Sequence, residues 1–163
     1  MSNDIAVLLA KDAIGQRLRD YCRGMDRIDD DLARALWHPG GEALYEGIFE
    51  GTGEGFCEWV AEFHRGLVVT SHEIFNVSIR VAGQVATSET YVEVNLMRRE
   101  GDKHILTTSH GRYLDRWSER GGRWAVDRRR YVRSFSIVRE VDVVLGTSQP
   151  NRDDASYDIN LDS

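Results

Sequence analysis

Cysteine is scarce in this sequence. Cys22 and Cys57 are the only two, each sits in a helix-like segment, and neither has a partner at metal-ligand spacing. The expectation is a pair of buried free thiols in a reduced, intracellular chain. Long apolar runs are missing as well. The opening MSNDIAVLLAKDAIGQRLRD has no basic leading segment, and its apolar stretch Ile5 to Ala10 is short and followed by charges. That fits neither a signal peptide nor a membrane-spanning helix, so a cytoplasmic protein is expected. Basic residues are in the minority: 21 Lys and Arg stand against 27 Asp and Glu, a net charge of −6. Phosphate-rich partners need a basic face, which argues against nucleic acid and against an anionic membrane surface. The glycines of FEGTGEG lack the lysine and the spacing of a phosphate-binding loop. No carboxylate and histidine set has metal spacing, so neither metal nor cofactor is expected. There is no internal repeat and no sign of a second domain.

What is present suits one globular domain. The chain has 163 residues, 41% of them hydrophobic and 29% charged, enough to bury a core. From Asp12 to Asp26, Ala13, Ile14, Leu18, Tyr21, Cys22 and Met25 recur at three- and four-residue spacing, which predicts an amphipathic helix. Asp29 to Asp31 can cap a short second helix through Leu32, Ala35 and Leu36, which His38-Pro39-Gly40-Gly41 then stops. Ala43 to Phe49 reads as a strand. Thr52 can cap a third helix whose buried face carries Phe56, Trp59, Val60 and Phe63.

After Gly66 the period changes from that of a helix to two. Phe75, Val77, Ile79 and Val81 alternate with His72, Ile74, Asn76, Ser78 and Arg80. Turns at Ala82-Gly83, Glu100-Gly101-Asp102 and Arg120-Gly121-Gly122 link this strand to Val85–Arg99, His104–Trp117 and Trp124–Val141. Three hairpins in succession predict an antiparallel meander. Helices first and sheet second give an α+β domain over residues 1–145, its long strands twisted and curled. Residues 146–163 form a polar, acidic tail. In it Tyr157, Ile159 and Leu161 alternate, as an arm lying on a neighbouring subunit would. Val77, Ile79, Val92 and Val94 suggest a partly apolar outer sheet face and hence a homo-oligomer.

Among the histidines, His38, His64 and His104 read as exposed or capping residues. His72 and His110 lie inside strands, and a cone-shaped sheet turns one face of its long strands toward a common cavity. Asp26 is the second anomaly. It closes the first helix, where a carboxylate opposes the helix dipole, and Asp29 to Asp31 are better placed to cap the next one. A buried Asp26 facing His72 would fix one tautomer of the imidazole, the role an acid plays beside a general base.

The runs YCRGMDRIDDDLARALWHP, FEGTGEGFCEW, TSHEIFNVSIRVAGQVATSETYV and HGRYLDRWSERGGRWAVDRR resemble the SnoaL-like branch of the NTF2-like superfamily, over roughly residues 8 to 140. That resemblance implies a cystatin-like cone, a curved antiparallel sheet closed by three N-terminal helices. Within the superfamily the chain is similar to scytalone dehydratases at Asp26, His72, His110 and Tyr45, with Met25 where those enzymes have a tyrosine. It is similar to hexachlorocyclohexane dehydrochlorinases at Asp26, His72 and Arg129, with Tyr21 in place of their lysine. It is similar to bile-acid dehydratases at Tyr21, Asp26 and His72. No one of the three is matched at every functional position.

The resemblance implies cofactor-independent β-elimination on a small, cyclic, mostly apolar substrate, and a trimer as the assembly, with a dimer as the alternative. His72 would be the base and Asp26 its orienter. Tyr21, Tyr45 and His110 would polarise a carbonyl or protonate a leaving group, and Arg129 would stabilise a developing anion. An isomerase of the ketosteroid type is one alternative, because the same base can return its proton elsewhere. The other is a non-catalytic module, ligand-binding or structural, like the β subunit of ring-hydroxylating dioxygenases. On that reading Asp26 and His72 are simply a structural hydrogen bond.

Overall fold

The computed structural model describes residues 3–158. Three helices precede most of the sheet: α1 (Asn3–Asp26), α2 (Asp30–Arg34) and α3 (Gly53–Arg65). The strands are β1 (Trp37–Tyr45), β2 (Phe49–Thr52), β3 (Val69–Ala82), β4 (Val85–Glu100), β5 (Lys103–Arg120) and β6 (Arg123–Val141). They form one curved sheet in the order β2-β1-β6-β5-β4-β3. β3 to β6 are the expected meander. The sheet is wider than expected, because β1 joins β6 in parallel and carries β2 on its other edge. The α+β architecture, a curved and mostly antiparallel sheet with three helices, is therefore as expected from the sequence.

The local chemistry explains the ends of the elements. Asp29 accepts hydrogen bonds from the backbone N–H groups of Asp31 and Leu32, and Thr52 accepts one from Gly55, each satisfying orphan donors of a helix N-terminus. α1 begins well before Asp12. Its first turns leave Ile5, Leu8 and Leu9 exposed, so their periodicity carried no core signal. His38-Pro39-Gly40-Gly41 does not end α2 but lies within β1, where the register with β6 shifts between Trp37 and Glu42 and Gly40 takes a positive φ of 74°.

The concave side of the sheet holds the core. Ile14, Leu18, Tyr21, Cys22 and Met25 of α1 pack there with Trp37, Tyr45, Val92, Tyr113, Trp117 and Tyr131. The stripe of α3 is Phe56, Cys57, Val60, Ala61 and His64, all buried, whereas Trp59 and Phe63 are partly exposed. The predicted stripe was thus rotated by about one position. Both cysteines are buried free thiols, as expected.

A bulge divides β3. Ile74 pairs with Val92 but the next pair is Val77 with Thr90, so three steps on β3 match two on β4. His72 and Ile74 before the bulge, and Val77, Ile79 and Val81 after it, therefore share the concave face, while Phe75 is 59% exposed. This corrects the face assignment made from simple alternation. It also removes the stated ground for an oligomer: Val92 is core, and Ile79 and Val94 pack against it. Exposed apolar side chains lie elsewhere, at Phe135, Ile137 and Val138 of β6 and at Val143 to Leu145 beyond it.

Residues 146–158 fold back on their own chain. Arg152 bonds Asp29 (2.7 Å) and Asp31 (2.6 Å), the Tyr157 hydroxyl donates to Asp29 (2.6 Å), and Arg27 pairs with Asp154 at 3.2 Å. A short 3-10 turn spans Ala155–Tyr157. Ile159 and Leu161 lie outside the described residues. No helix among the described residues is long and apolar enough to cross a membrane.

Candidate active site

Asp26 ends α1 with its carboxylate turned toward the first residues of β3. It accepts three hydrogen bonds there: from the Thr70 hydroxyl (3.1 Å), from the His72 backbone N–H (3.0 Å) and from His72 Nδ1 (2.7 Å). A carboxylate facing Nδ1 fixes the proton on that nitrogen, so His72 Nε2 carries the lone pair. The His72 side chain is 7% exposed and forms part of the wall of a partly open cavity of about 110 Å³. An apolar cavity of roughly 150 Å³ is known to hold benzene. The space here is somewhat smaller, a size for at most one ring inside it, with the rest of a ligand at the open side.

The cavity wall is mostly aromatic and aliphatic. Met25, Phe56, Val60, Val94 and Leu96 line it, and Ile48, Trp59 and Phe63 stand partly exposed around it. Trp59 and Phe63 stack at 5.9 Å, which explains why these two large side chains of α3 are not in the core. Polar groups are few. Tyr21 and Tyr45, from α1 and the end of β1, join their hydroxyls at 2.9 Å. Tyr45 also stacks flat on Phe56 at 3.9 Å. Burial, with the neighbouring phenols Tyr45 and Tyr113, raises the Tyr21 pKa well above its ordinary value. Burial pushes Tyr45 up to about 12, although the Arg129 cation opposes it. Both phenols are therefore proton donors across the physiological range.

Arg129 is fully buried behind this layer. Its Nε and Nη2 donate to the two oxygens of Asp115 at 2.7 and 2.8 Å. Its guanidinium lies 3.9 Å from the Tyr113 ring centroid and 4.6 Å from that of Tyr21, and Nη1 has no hydrogen-bond partner. Burial works against its charge, but the attractions around it, Asp115 first among them, together outweigh that and the pKa stays raised. Arg129 thus reaches the cavity only through the tyrosines.

Of the predicted site residues, Asp26, His72, Tyr21 and Tyr45 come together, and Arg129 backs them. His110 does not join them. Its neighbours in β5, Ser109 and Gly111, oppose Val94 and Val92 on the concave face. His110 consequently projects from the convex side, where it pairs with Glu93 at 3.0 Å and stacks on Phe135 at 4.5 Å. Among the described residues no three His, Cys, Asp or Glu side chains gather in a way that could hold a metal ion.

The SnoaL-like domain model matches residues 6–130 of the sequence, most of the chain. The chain belongs to the SnoaL-like family. Solved structures with the same fold include a type 2 hexachlorocyclohexane dehydrochlorinase, LinA, at 18% identity and a TM-score of 0.77, covering 89% of this chain and 99% of that one. A candidate scytalone dehydratase from Novosphingobium aromaticivorans is 21% identical with a TM-score of 0.71, covering 87% and 95%. An NTF2-like protein with a cystatin-like fold from the same organism is 20% identical with a TM-score of 0.65, covering 78% and 84%. No curated protein matches the sequence. The structures that this SnoaL-like chain resembles thus include a dehydrochlorinase and a candidate dehydratase, at identities that establish a shared fold.

Sequence reasoning missed His64, expected on the polar side of α3. It is buried, lines the same cavity, and its ring lies 5.7 Å from that of His72. The available signal was its position, four residues after Val60 and seven after Cys57, on the stripe that is in fact buried. His38, also expected to be exposed or capping, is buried against the Ser118 carbonyl at 3.0 Å. Burial, then repulsion from His72, lowers the His64 pKa to about 4. The unfolded chain takes up that proton near the ordinary pKa of about 6.5, so between the two values it binds more protons than the folded chain. This contribution to stability is complete above about pH 6.5 and falls by about 3 kcal/mol as pH drops to 4. Urea unfolding should show that slope in the wild type and a shallower one in His64→Gln. Equal slopes would mean that His64 titrates normally.

Proposed function

We propose that this SnoaL-like protein is a cofactor-independent lyase acting on a small, ring-sized, mostly apolar substrate. The observation that carries the reading is the 2.7 Å contact between Asp26 and His72 Nδ1, which leaves Nε2 as the basic nitrogen on a cavity wall. In the reaction His72 Nε2 takes a proton from the carbon next to an activating group. The C–H electron pair becomes the new C=C bond, and the leaving group departs from the adjacent carbon with the bonding pair. Asp26 holds the ring in the reactive tautomer and stabilises the imidazolium. The Tyr21–Tyr45 pair donates a hydrogen bond to the activating carbonyl or a proton to the leaving group, and Arg129 favours that donation from behind. His110 has no part in this scheme.

The test is turnover of a panel of cyclic ketones and cyclohexanes bearing a hydroxyl or halide β to an acidic C–H. Formation of the conjugated double bond is followed by absorbance. Expected is elimination from at least one member, with a primary isotope effect when the abstracted hydrogen is deuterium. Ligands that bind the cavity without any being converted would leave a binding module instead. Double-bond migration without loss of a group would make it an isomerase.

The exposed Phe135, Ile137 and Val138 support a homo-oligomer, dimer or trimer. Sedimentation of a monomer at micromolar concentration would count against that assembly.

A further inference from the structure

His64 is a polar group of the cavity wall that the lyase scheme leaves unused, alongside Ser109, Tyr113 and Tyr131. It sits in the last turn of α3, and its Nδ1 is 3.1 Å from the Met25 carbonyl oxygen. A backbone carbonyl can only accept, so Nδ1 carries the hydrogen and, in the neutral ring, Nε2 keeps its lone pair. The ring is only 2% exposed. No protein donor reaches Nε2 among the described hydrogen bonds, in which Tyr21 and Tyr45 bond each other and not His64. Nε2 is not among the fully buried polar atoms that lack a partner, so part of it is accessible and free to meet a ligand donor. Tyr113 and Tyr131 also line the cavity, and no hydrogen bond joins either hydroxyl to His64 among those described.

We propose that His64 is a specificity determinant, accepting a hydrogen bond at Nε2 from a hydroxyl of the ligand, so that the cavity selects a hydroxylated ring over an equally large ring without a donor. The inference deepens the lyase reading by naming the substrate class. It rests on that reading only in taking this cavity as the ligand site. His72 presents a second Nε2 lone pair on the same wall, and its partner Asp26 belongs to the proton-transfer pair. His64, held by a backbone carbonyl, has no such partner and stays a passive acceptor.

Phenol and toluene provide the test. They are rings of nearly equal size that differ in one donor, and neither can be turned over by elimination, so binding is read without turnover. In a plain apolar cavity toluene binds better, because phenol gives up hydrogen bonds to water. With a waiting acceptor the order reverses. Titrations of the full-length protein, by calorimetry or NMR, are expected to show phenol bound at least about tenfold more tightly, which corresponds to about 1.4 kcal/mol.

His64→Asn keeps an N–H near the Met25 carbonyl and withdraws the acceptor. It is expected to lose the phenol preference. His64→Gln carries an amide oxygen near the place of Nε2 and is expected to recover part of it. A melting curve for each variant checks folding. Independently of any variant, the nitrogen resonance of His64 Nε2 in the wild type should move on adding phenol and stay put on adding toluene. Equal affinities in the wild type, an unmoved Nε2 resonance, or a phenol preference kept by His64→Asn (which would assign the hydroxyl to His72) each overturn the proposal. The lyase reading could stand through any of these results, just as failure of the turnover panel would leave the binding preference intact.

Discussion

Replacing His72 with alanine is expected to lower elimination turnover by roughly a hundred- to ten-thousand-fold, the contribution of a positioned general base. The protein should stay folded. Asp26 keeps two of its three hydrogen-bond donors, the Thr70 hydroxyl and the backbone N–H of residue 72, so no carboxylate is stranded. Asp26→Asn is the finer instrument. The amide nearly preserves the shape, yet it can turn an N–H toward His72 Nδ1 and so favour the tautomer with its proton on Nε2. In serine hydrolases the equivalent change costs about ten-thousand-fold, and a loss approaching that is expected here. The pair of measurements is turnover and a melting curve for each variant. A folded His72→Ala protein with full activity would end the lyase reading.

Asp115→Ala is expected to be the most destabilising single change outside the hydrophobic core. Asp115 and Arg129 are both fully buried and joined by two parallel hydrogen bonds. Removing one partner leaves an unpaired charge in the interior, which costs about 3–5 kcal/mol. Domains of this size have about 5–15 kcal/mol in total, so the variant should lie close to unfolding at physiological temperature. Arg129→Met should cost a similar amount, because it strands the carboxylate instead. The double variant Asp115→Leu with Arg129→Met should regain much of the loss, since well-packed apolar residues often replace a buried pair without penalty. Urea unfolding of the three proteins decides it. A loss under about 1 kcal/mol in the single variants would show that water reaches the pair.

How much of this was legible in the sequence depended on whether a feature is local. The caps at Asp29 and Thr52, the three hairpin turns and the change of period after Gly66 depend on neighbours in the chain, and they were readable. The pairing of Asp26 with His72 was readable for a different reason. An acid at a helix C-terminus and a histidine inside a strand are each poor choices for stability, and together they resemble the pattern of a known family. The parallel joining of β1 to β6 left no local mark, so the six-stranded sheet was read as a meander plus one strand. The faces of β3 were misread because alternation continues unbroken through Phe75 and Asn76, while the partner strand decides where a residue is looped out. Parity misled at His110 too: a strand residue can share its strand with cavity residues and still project from the far side of the sheet. His64 is hard to read because Trp59 and Phe63, being large, point to the wrong face of α3. Large aromatics also surround cavity mouths, and the smaller Cys57 and Ala61 marked the core.

The looped-out residue in β3 has a consequence for how this chain can vary through descent. His72, Ile74, Val77, Ile79 and Val81 share the face toward the helices only because one position near Phe75 and Asn76 is not counted in the pairing with β4. Loss of a single codon there would close the bulge and leave these five residues in unbroken alternation, still on that face. Straightening the strand without such a loss is the costly change: with every residue counted in the ladder, either His72 would leave Asp26 or Val77, Ile79 and Val81 would leave the helices. Near this bulge, then, the chain can shorten by one residue in descent and keep the Asp26–His72 contact, while β3 loses the local bend and extra twist that a bulge supplies.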